Sequence, residues 1–498
     1  MANYYFSEEH ELFRSSLRDF LNKEVAPNID SWEDNRQTPK EIWKKMGNMG
    51  FLGLSYPEKY GGLGLDFYYD VIFTEEVSKM YSGGFAANVS VVQYMSGPYI
   101  LKHGNDALKE KYLPGITSGE LVSSIAITEP GAGSDAANIK TKAELQGDHY
   151  LVNGSKTFIT NAVYGDLLIC VVKTNPEAGS AGVSLLVIDR NAEGVSATKL
   201  KKLGWHASDT AELAFDNVKV PKENLLGEEG KGFYYLMGGL QLERLVGAVM
   251  GYAACEEALN YALKYMSERK AFGRTINKFQ VLRHRVAQLA TEIEACKQFV
   301  LHCARMHNDG HYAVKECSMA KLLASELSDK VMYQCLQFFG GYGYMEEYKI
   351  ARMFRDSRIG TIGGGSSEIM REIIAKMVIE EVNYKGKGES KSANGKINGA
   401  LTLNEILPHL QSKAKTAKPL GNTLKFNFGD QQLYIDGLGA TNQISLDDKD
   451  AACLVNVSLE DFNKMMQGQL NPMNAVISGQ LDIKGDMNVA MKLQSLFN

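Results

Sequence analysis

The sequence has 498 residues, of which 44% are hydrophobic and 23% charged, as in ordinary globular proteins. The formal net charge of −5 argues against nucleic-acid binding, and the apolar runs are too short for a membrane span. The length predicts three or four domains.

The ends of the chain and its cysteines bear on location and metal content. The N-terminus, MANYYFSEEHELF, is acidic and resembles neither a signal nor a transit peptide, and the terminal LFN is not a peroxisomal signal. The seven cysteines lie far apart and form no C-x-x-C pair, so neither disulfides nor zinc are expected. His302, His307 and His311 are interpreted as surface residues rather than metal ligands. These features predict a bacterial-type cytoplasmic protein without a metal.

The first part of the chain, residues 1–120, has helical periodicity. Phe13, Leu17, Phe20 and Leu21 fall on one stripe, and Ser7 stands where a helix cap is expected. This pattern predicts an N-terminal α-helical domain.

Residues 121–230 change to short β-rich runs divided by Gly, Asn, Asp and Pro. The runs are LVSSIAIT, DHYLVNGSKTFIT, DLLICVVKT, GVSLLVIDR and ELAFDNVKV, and they predict antiparallel strands in a sandwich or barrel. Helical periodicity returns over 231–384.

Residues 385–400 read KGKGESKSANGKINGA, which is typical of a flexible linker. A small α+β domain is predicted over 401–498. TLNE, which begins at Thr402, is a capping box before an apolar face of Leu403, Ile406, Leu407 and Leu410. The sequence then predicts a hairpin in LKFNFGDQQLYID, a capped helix from Ser458, a strand in GQLDIKGD and a terminal helix in NVAMKLQSLF.

Three segments could carry chemistry, and each has an ordinary structural interpretation. TEPGAGSD, from Thr128 to Asp135, is a Pro-Gly turn whose glycines and hydroxyls could also bind phosphate or a ring edge. In QFFGGYGYMEEYKIARMFRDSRIGTIGGGSSEIM, paired and triple glycines flank a basic stretch, as at helix ends with a solvated face.

The third segment, LQLERLVGA, places Glu243 and Arg244 in an apolar helix. They could form an ion pair on a solvated face. Alternatively, Glu243 is a desolvated carboxylate with a raised pKa, suited to general base catalysis.

Together, several segments resemble the acyl-CoA dehydrogenase family over residues 5–383. They are TEPGAGSD, NGSKTFITNA, SERKAFG with the following Phe279–Gln280, QFFGGYGYMEEY and ARMFRDSRIGTI. The resemblance implies a multidomain α+β protein with an N-terminal helical domain, a middle antiparallel β-domain and a C-terminal four-helix bundle. It also implies FAD as cofactor, an acyl-CoA substrate, electron-transferring flavoprotein as acceptor, and a homodimer or homotetramer.

The resemblance carries site residues with it. Substrate contacts are implied for Ser134, Arg244, Gly364 and Gly365. Flavin contacts are implied for Ile125, Ile127, Thr128, Ser134, Phe158, Ile159, Thr160, Ser366 and Glu368, and contacts to the FAD of a neighbouring subunit for Arg269, Phe272, Gln280, Gln337, Gly340 and Gly341.

The sequence departs from many relatives at the catalytic position. In many members of the family a catalytic glutamate stands at the position that is Gly364 in this chain. The long-chain and isovaleryl branches instead place the glutamate before an arginine, on the helix that precedes SERKAFG. Glu243–Arg244 matches that second pattern. Glu243 is therefore expected to be the catalytic base.

Residues 401–498 resemble a sterol-carrier-protein type 2 domain, which implies a bound fatty acyl or sterol-like lipid. A structural or dimerisation appendage is the alternative. For the whole chain, medium-to-long-chain acyl-CoA dehydrogenation is the leading hypothesis. A branched short-chain dehydrogenase, an acyl-CoA oxidase and a non-catalytic acyl-CoA or lipid-binding protein remain as alternatives.

Overall fold

The computed structural model describes residues 4–311, 313–389, 403, 407, 410, 411, 414, 419–429, 431–466 and 481–485. The chain separates into two compact units, Met1–Val382 and Asn383–Asn498, and each is described by itself. No helix within these ranges is both long and apolar enough to cross a membrane.

The first unit begins with a layer of helices. They are α1 (Glu8–Phe20), α2 (Ile29–Asn35), α3 (Lys40–Asn48), α4 (Phe67–Ser78), α5 (Gly83–Ser90), α6 (Gly97–His103) and α7 (Asp106–Thr117). Ser7 caps α1 as predicted, because its hydroxyl accepts from the backbone N–H of His10 at 3.3 Å. Leu17 and Leu21 of the predicted stripe are fully buried. The cap and the apolar stripe together explain why this segment is helical.

A seven-stranded sheet follows. Its strands are β1 (Ser123–Ala126), β2 (Lys142–Gln146), β3 (His149–Thr160), β4 (Leu167–Lys173), β5 (Val183–Asp189), β6 (Val195–Lys199) and β7 (Thr210–Pro221). Their order is β1-β4-β2-β3-β7-β6, with β5 also paired to β4. All five predicted strands form, whereas β2 and β6 were not predicted. Most pairs are antiparallel, but β4 runs parallel to both β1 and β2. The chain reaches β4 from β1 through a long loop and the β2–β3 hairpin.

Five helices begin in the C-terminal part of the first unit; the first four of them pack on one another, and the first two also pack on α4. They are α8 (Gly232–Glu268), α9 (Gln280–Asn308), α10 (Val314–Phe339), α11 (Lys349–Ser357) and α12 (Ser367–Glu389). A two-stranded hairpin of β8 (Lys270–Ala271) and β9 (Arg274–Thr275) separates α8 from α9. Helix α12 extends to Glu389, past residue 385 where the linker is predicted to begin, although two glycines at 386 and 388 are weak helix formers. The other predicted domain limits stay predictions.

The second unit contains a five-stranded sheet in the order β12-β11-β10-β13-β14. The elements are β10 (Thr423–Asn427), β11 (Gln432–Asp436), β12 (Gln443–Ser445), β13 (Cys453–Val457), α13 (Leu459–Met466) and β14 (Leu481–Gly485). The predicted hairpin is β10–β11 and the predicted strand is β14. Ser458 caps α13 by accepting from the N–H of Asp461 at 3.0 Å. The capping box at Thr402, Ile406 and the terminal helix at 488–497 lie outside the described residues.

Candidate active site

Helix α8 carries a charged pair inside an apolar wall. Glu243 and Arg244 are each 7% exposed, and the next two residues, Leu245 and Val246, are also buried. The interpretation of this pair as a solvated face is therefore wrong. Within the part of the chain that the structure describes, the buried Nε of Arg244 has no hydrogen-bond partner. A free donor thus lies beside the Glu243 carboxylate.

The surroundings of Glu243 raise its proton affinity. Burial raises the pKa of Glu243 to about 7, against the opposing effects of a hydrogen bond from Tyr99 and the charge of Arg244. The hydroxyl of Tyr99 lies 3.3 Å from Glu243 Oε1. A carboxylate with a pKa near neutrality is suited to act as a general base.

The triple-glycine segment between α11 and α12 is hydrogen-bonded to α10 by a lysine side chain. Gly364 and Gly365 have φ values of +64° and +92°, in the left-handed region that favours glycine. Lys321 of α10 donates a hydrogen bond from Nζ to the carbonyl oxygen of Gly365. Burial, and then the positive charge of Arg244, lowers the pKa of Lys321 to about 8. Lys321 therefore connects the glycine segment with Arg244.

Space is left open at the glycine segment. A Cβ atom built on Gly364 would meet no atom within 4 Å. The first atom of a side chain would therefore be unobstructed at Gly364. The structure thus connects Gly365 through Lys321 to Arg244, the sequence neighbour of Glu243, and leaves the Cβ position of Gly364 open.

Two segments of the β-domain lie side by side at the end of the sheet. The N–H of Thr157 donates to the carbonyl of Thr128 at 2.8 Å. The register of β3 and β7 shifts between Lys156 and Ile159, and in this bulge Phe158 has a φ of +63° and is 68% exposed. The backbone around Thr128 and an outward-facing aromatic ring therefore share one surface.

A buried ion pair fixes these two segments. The Nζ of Lys156 donates to Glu129 Oε1 at 2.8 Å and to the Ile127 carbonyl at 3.0 Å. Sequence reasoning placed both residues within its motifs but gave them no role. The signal was available in the sequence. Glu129 and Lys156 have opposite charges and lie in two motifs that the resemblance assigns to one cofactor, which indicates that they could pair.

The remaining predicted β-domain residues have varied exposure. Ile125 and Thr160 are half-buried and Ile159 is buried, whereas Ser134 is exposed in its loop.

A groove of about 680 Å³ gathers most of the residues predicted to contact a neighbouring subunit's FAD. Its lining includes Arg269, Phe272, Gln337, Gly340 and Gly341. Phe272 projects from the β8–β9 turn and is 95% exposed. The turn residues Phe272 and Gly273 both have positive φ values, as a two-residue hairpin turn requires. Gln280 is exposed and directly follows the lining residue Phe279.

Ser366 and Glu368 lie in a different, polar pocket of about 350 Å³ at the start of α12. Arg358 and Arg371 also line it. The residues predicted to bind FAD are thus spread over the sheet surface, the groove and this pocket.

The residues present fit a flavin dinucleotide. The exposed Phe158 and the adjoining backbone offer a face for a planar ring, and the groove combines exposed aromatic residues with the cation of Arg269.

Among the described residues no cluster of acidic, histidine or cysteine side chains could hold a metal ion. His302 and His311 are exposed, as predicted, whereas His307 is half-buried and packs on Phe67 with ring centroids 4.6 Å apart.

Comparison with known families gives four matches in chain order. The acyl-CoA dehydrogenase N-terminal, middle and C-terminal domain families match residues 7–120, 124–218 and 230–379. The SCP-2 sterol transfer family matches residues 403–498.

Similar proteins cover the same three-quarters of the chain. The mouse (Mus musculus) mitochondrial long-chain specific acyl-CoA dehydrogenase is 42% identical, over 76% of this chain and 88% of its own. The mitochondrial isovaleryl-CoA dehydrogenase of Oryza sativa subsp. japonica is 38% identical, over 76% of this chain and 92% of its own. The crystal structure of an acyl-CoA dehydrogenase from Geobacillus kaustophilus aligns with a TM-score of 0.74 at 45% identity, over 75% of this chain and 99% of that one. The chain therefore belongs to the acyl-CoA dehydrogenase family and carries an added SCP-2 domain.

Proposed function

We propose that this protein binds FAD and oxidises acyl-CoA thioesters to trans-2-enoyl-CoA, with Glu243 as the catalytic base. The observation that carries the proposal is the buried carboxylate of raised pKa on α8, Glu243. It stands in a chain that has Gly364 where the family resemblance places the carboxylate of many relatives. Ile127, Thr128 and the Phe158–Thr160 segment would hold the flavin ring. Bound FAD would accept the hydride from the β-carbon.

The chain's own residues account for the proton and the carbonyl. Glu243 takes the α-proton as the C–H bond breaks, and the electron pair stays on the substrate. The N–H of Gly364 donates to the thioester carbonyl and stabilises the developing negative charge. The apolar wall around Glu243 excludes water, which keeps the base strong.

The substrate is proposed to be a medium- or long-chain acyl-CoA. The mouse long-chain relative and the fused lipid-carrier domain support this choice, and a fatty acyl or sterol-like lipid would occupy that domain. The isovaleryl relative supports a branched short-chain substrate as the second candidate.

The acceptor and the assembly are proposed by analogy with the family. Electron-transferring flavoprotein would reoxidise the flavin, and the exposed groove beside Phe272 would receive FAD from a second subunit in a homodimer or homotetramer. A cytoplasmic location stays a prediction.

Anaerobic mixing with acyl-CoAs tests the proposal. The purified protein is mixed with straight and branched acyl-CoAs while the flavin absorbance is followed. Rapid bleaching with one length class supports the function and identifies its substrate class. No bleaching with any acyl-CoA would contradict the proposed function and favour the alternative of a non-catalytic acyl-CoA-binding protein. Fast reoxidation of the bleached enzyme in air would instead favour an oxidase.

A further inference from the structure

Among the described residues, Tyr99 is the one side chain of the N-terminal helices that donates a hydrogen bond to Glu243. It lies on α6, is 2% exposed, and its hydroxyl oxygen is 3.3 Å from Glu243 Oε1. The same oxygen is also 3.3 Å from the main-chain carbonyl oxygen of Leu236. The phenol therefore stands between two acceptors at equal distances.

A tyrosine hydroxyl has one proton to donate and lone pairs with which to accept. It can donate to the Glu243 carboxylate or to the Leu236 carbonyl, but not fully to both. Distances of 3.3 Å are longer than a single strong O–H···O bond, as expected for a shared donor. Once Glu243 is protonated, its own O–H can donate to the phenol oxygen while the phenol donates to Leu236.

We propose that Tyr99 is a positioning residue for the base and serves both of its protonation states by rotating its hydroxyl between Glu243 and the Leu236 carbonyl. The inference rests on the proposed function. During proton abstraction the substrate C–H bond breaks and an O–H bond forms on Glu243. Tyr99 keeps its own proton, which turns from Glu243 to the Leu236 carbonyl.

The packing around the phenol leaves room for this arrangement only because α8 has a glycine at 239. A Cβ atom on Gly239 would lie 2.2 Å from the Tyr99 hydroxyl oxygen. Glycine in the interior of a helix is otherwise less favourable than alanine. Gly239 therefore lets α8 approach the ring closely enough for both hydrogen bonds.

Few other charged or titratable groups act on this pair. Arg244 is the other group that affects the pKa of Glu243, and it in turn lies near Cys317 and Lys321 of α10. On the side of α6, the ring of His103 is 6.4 Å from that of Tyr99. Burial lowers the pKa of His103 to about 4, so this imidazole is neutral near pH 7. Tyr99 is thus the neutral hydrogen-bond partner of the base.

The test compares Tyr99→Phe with Tyr94→Phe. Tyr94 is a matched control because it is also buried and its hydroxyl also donates to a main-chain carbonyl, that of Asp70, at 3.3 Å. The first readout is an infrared titration of the Glu243 carboxyl band, assigned by its loss in Glu243→Gln. The second readout is the pH profile of kcat/KM with the best acyl-CoA.

Tyr99→Phe is expected to shift both titrations to higher pH, because the carboxylate loses a charge-assisted hydrogen bond. At pH 6 its kcat/KM should fall about tenfold below that of Tyr94→Phe, the size expected for one hydrogen bond to a charged group. Infrared and kinetic midpoints in Tyr99→Phe that equal those of the parent would overturn the inference, even if the enzyme oxidises acyl-CoA. Absence of flavin bleaching in the parent would instead overturn the proposed function, while the infrared titration still decides whether Tyr99 tunes Glu243.

Discussion

Glu243 must be ionised before it can take a proton, and burial makes that ionisation harder. Because burial raises its pKa to about 7 from an ordinary 4.5, the base is active above neutrality and protonated below it. We expect kcat/KM to rise with pH through about 7 and to fall roughly tenfold per pH unit on the acidic side. A pH profile with a non-titrating thioester substrate measures this. An acidic limb near pH 4.5 would contradict the buried environment.

Lys321 has a positioning role that can also be measured. Its hydrogen bond to the Gly365 carbonyl holds the segment that would donate to the substrate carbonyl. Lys321→Met should lower kcat/KM about tenfold or more, because small displacements of a positioning group are costly. Lys297→Met, which removes an ion pair with Glu256 on the same bundle, is the control. Equal effects of the two substitutions on kcat/KM would mean that Lys321 acts only on stability.

At the scale of elements, the close approach of α6 and α8 depends on one of two adjacent glycines. Gly239→Ala should destabilise the protein by about 1–3 kcal/mol, as overpacking does, because its Cβ would clash with the Tyr99 hydroxyl. Gly238→Ala meets nothing within 4 Å and should leave stability unchanged or raise it by up to about 1 kcal/mol. Urea unfolding of both variants measures the difference. Equal stabilities would show that α6 and α8 are not tightly packed at Tyr99.

Local features of the elements could be predicted from the sequence. The Ser7 cap and the β10–β11 hairpin each depend on residues close together in the chain. The local sequence left the burial of Glu243 open, and the family resemblance favoured its role as the base. The parallel pairing of β1 with β4 could not be predicted, because strand runs carry no information about their partners. Tyr99 was missed for a similar reason, since it is 144 residues from Glu243 and lies in a helix with no catalytic motif.

At the scale of the whole molecule, the second unit raises the question of substrate supply. A tethered lipid carrier would raise the local concentration of acyl-CoA near the first unit. Deleting 390–498, beyond the end of α12, should therefore lower the rate at limiting long-chain substrate and leave the saturating rate unchanged. Steady-state kinetics with long- and short-chain acyl-CoAs measures this. Unchanged kinetics at limiting long-chain substrate would contradict the delivery role.

The most direct test of the account is whether Glu243 is the base. Glu257 provides a matched control, since it lies on the same helix, accepts a hydrogen bond from Tyr81 and has a pKa raised by burial. Single-turnover flavin reduction by the preferred acyl-CoA should be about 10²–10⁴-fold slower in Glu243→Gln, the usual contribution of a general base. Glu257→Gln should stay close to the parent. Flavin-loaded Glu243→Gln that is reduced at the parent's rate would contradict the account, because the base would then lie elsewhere.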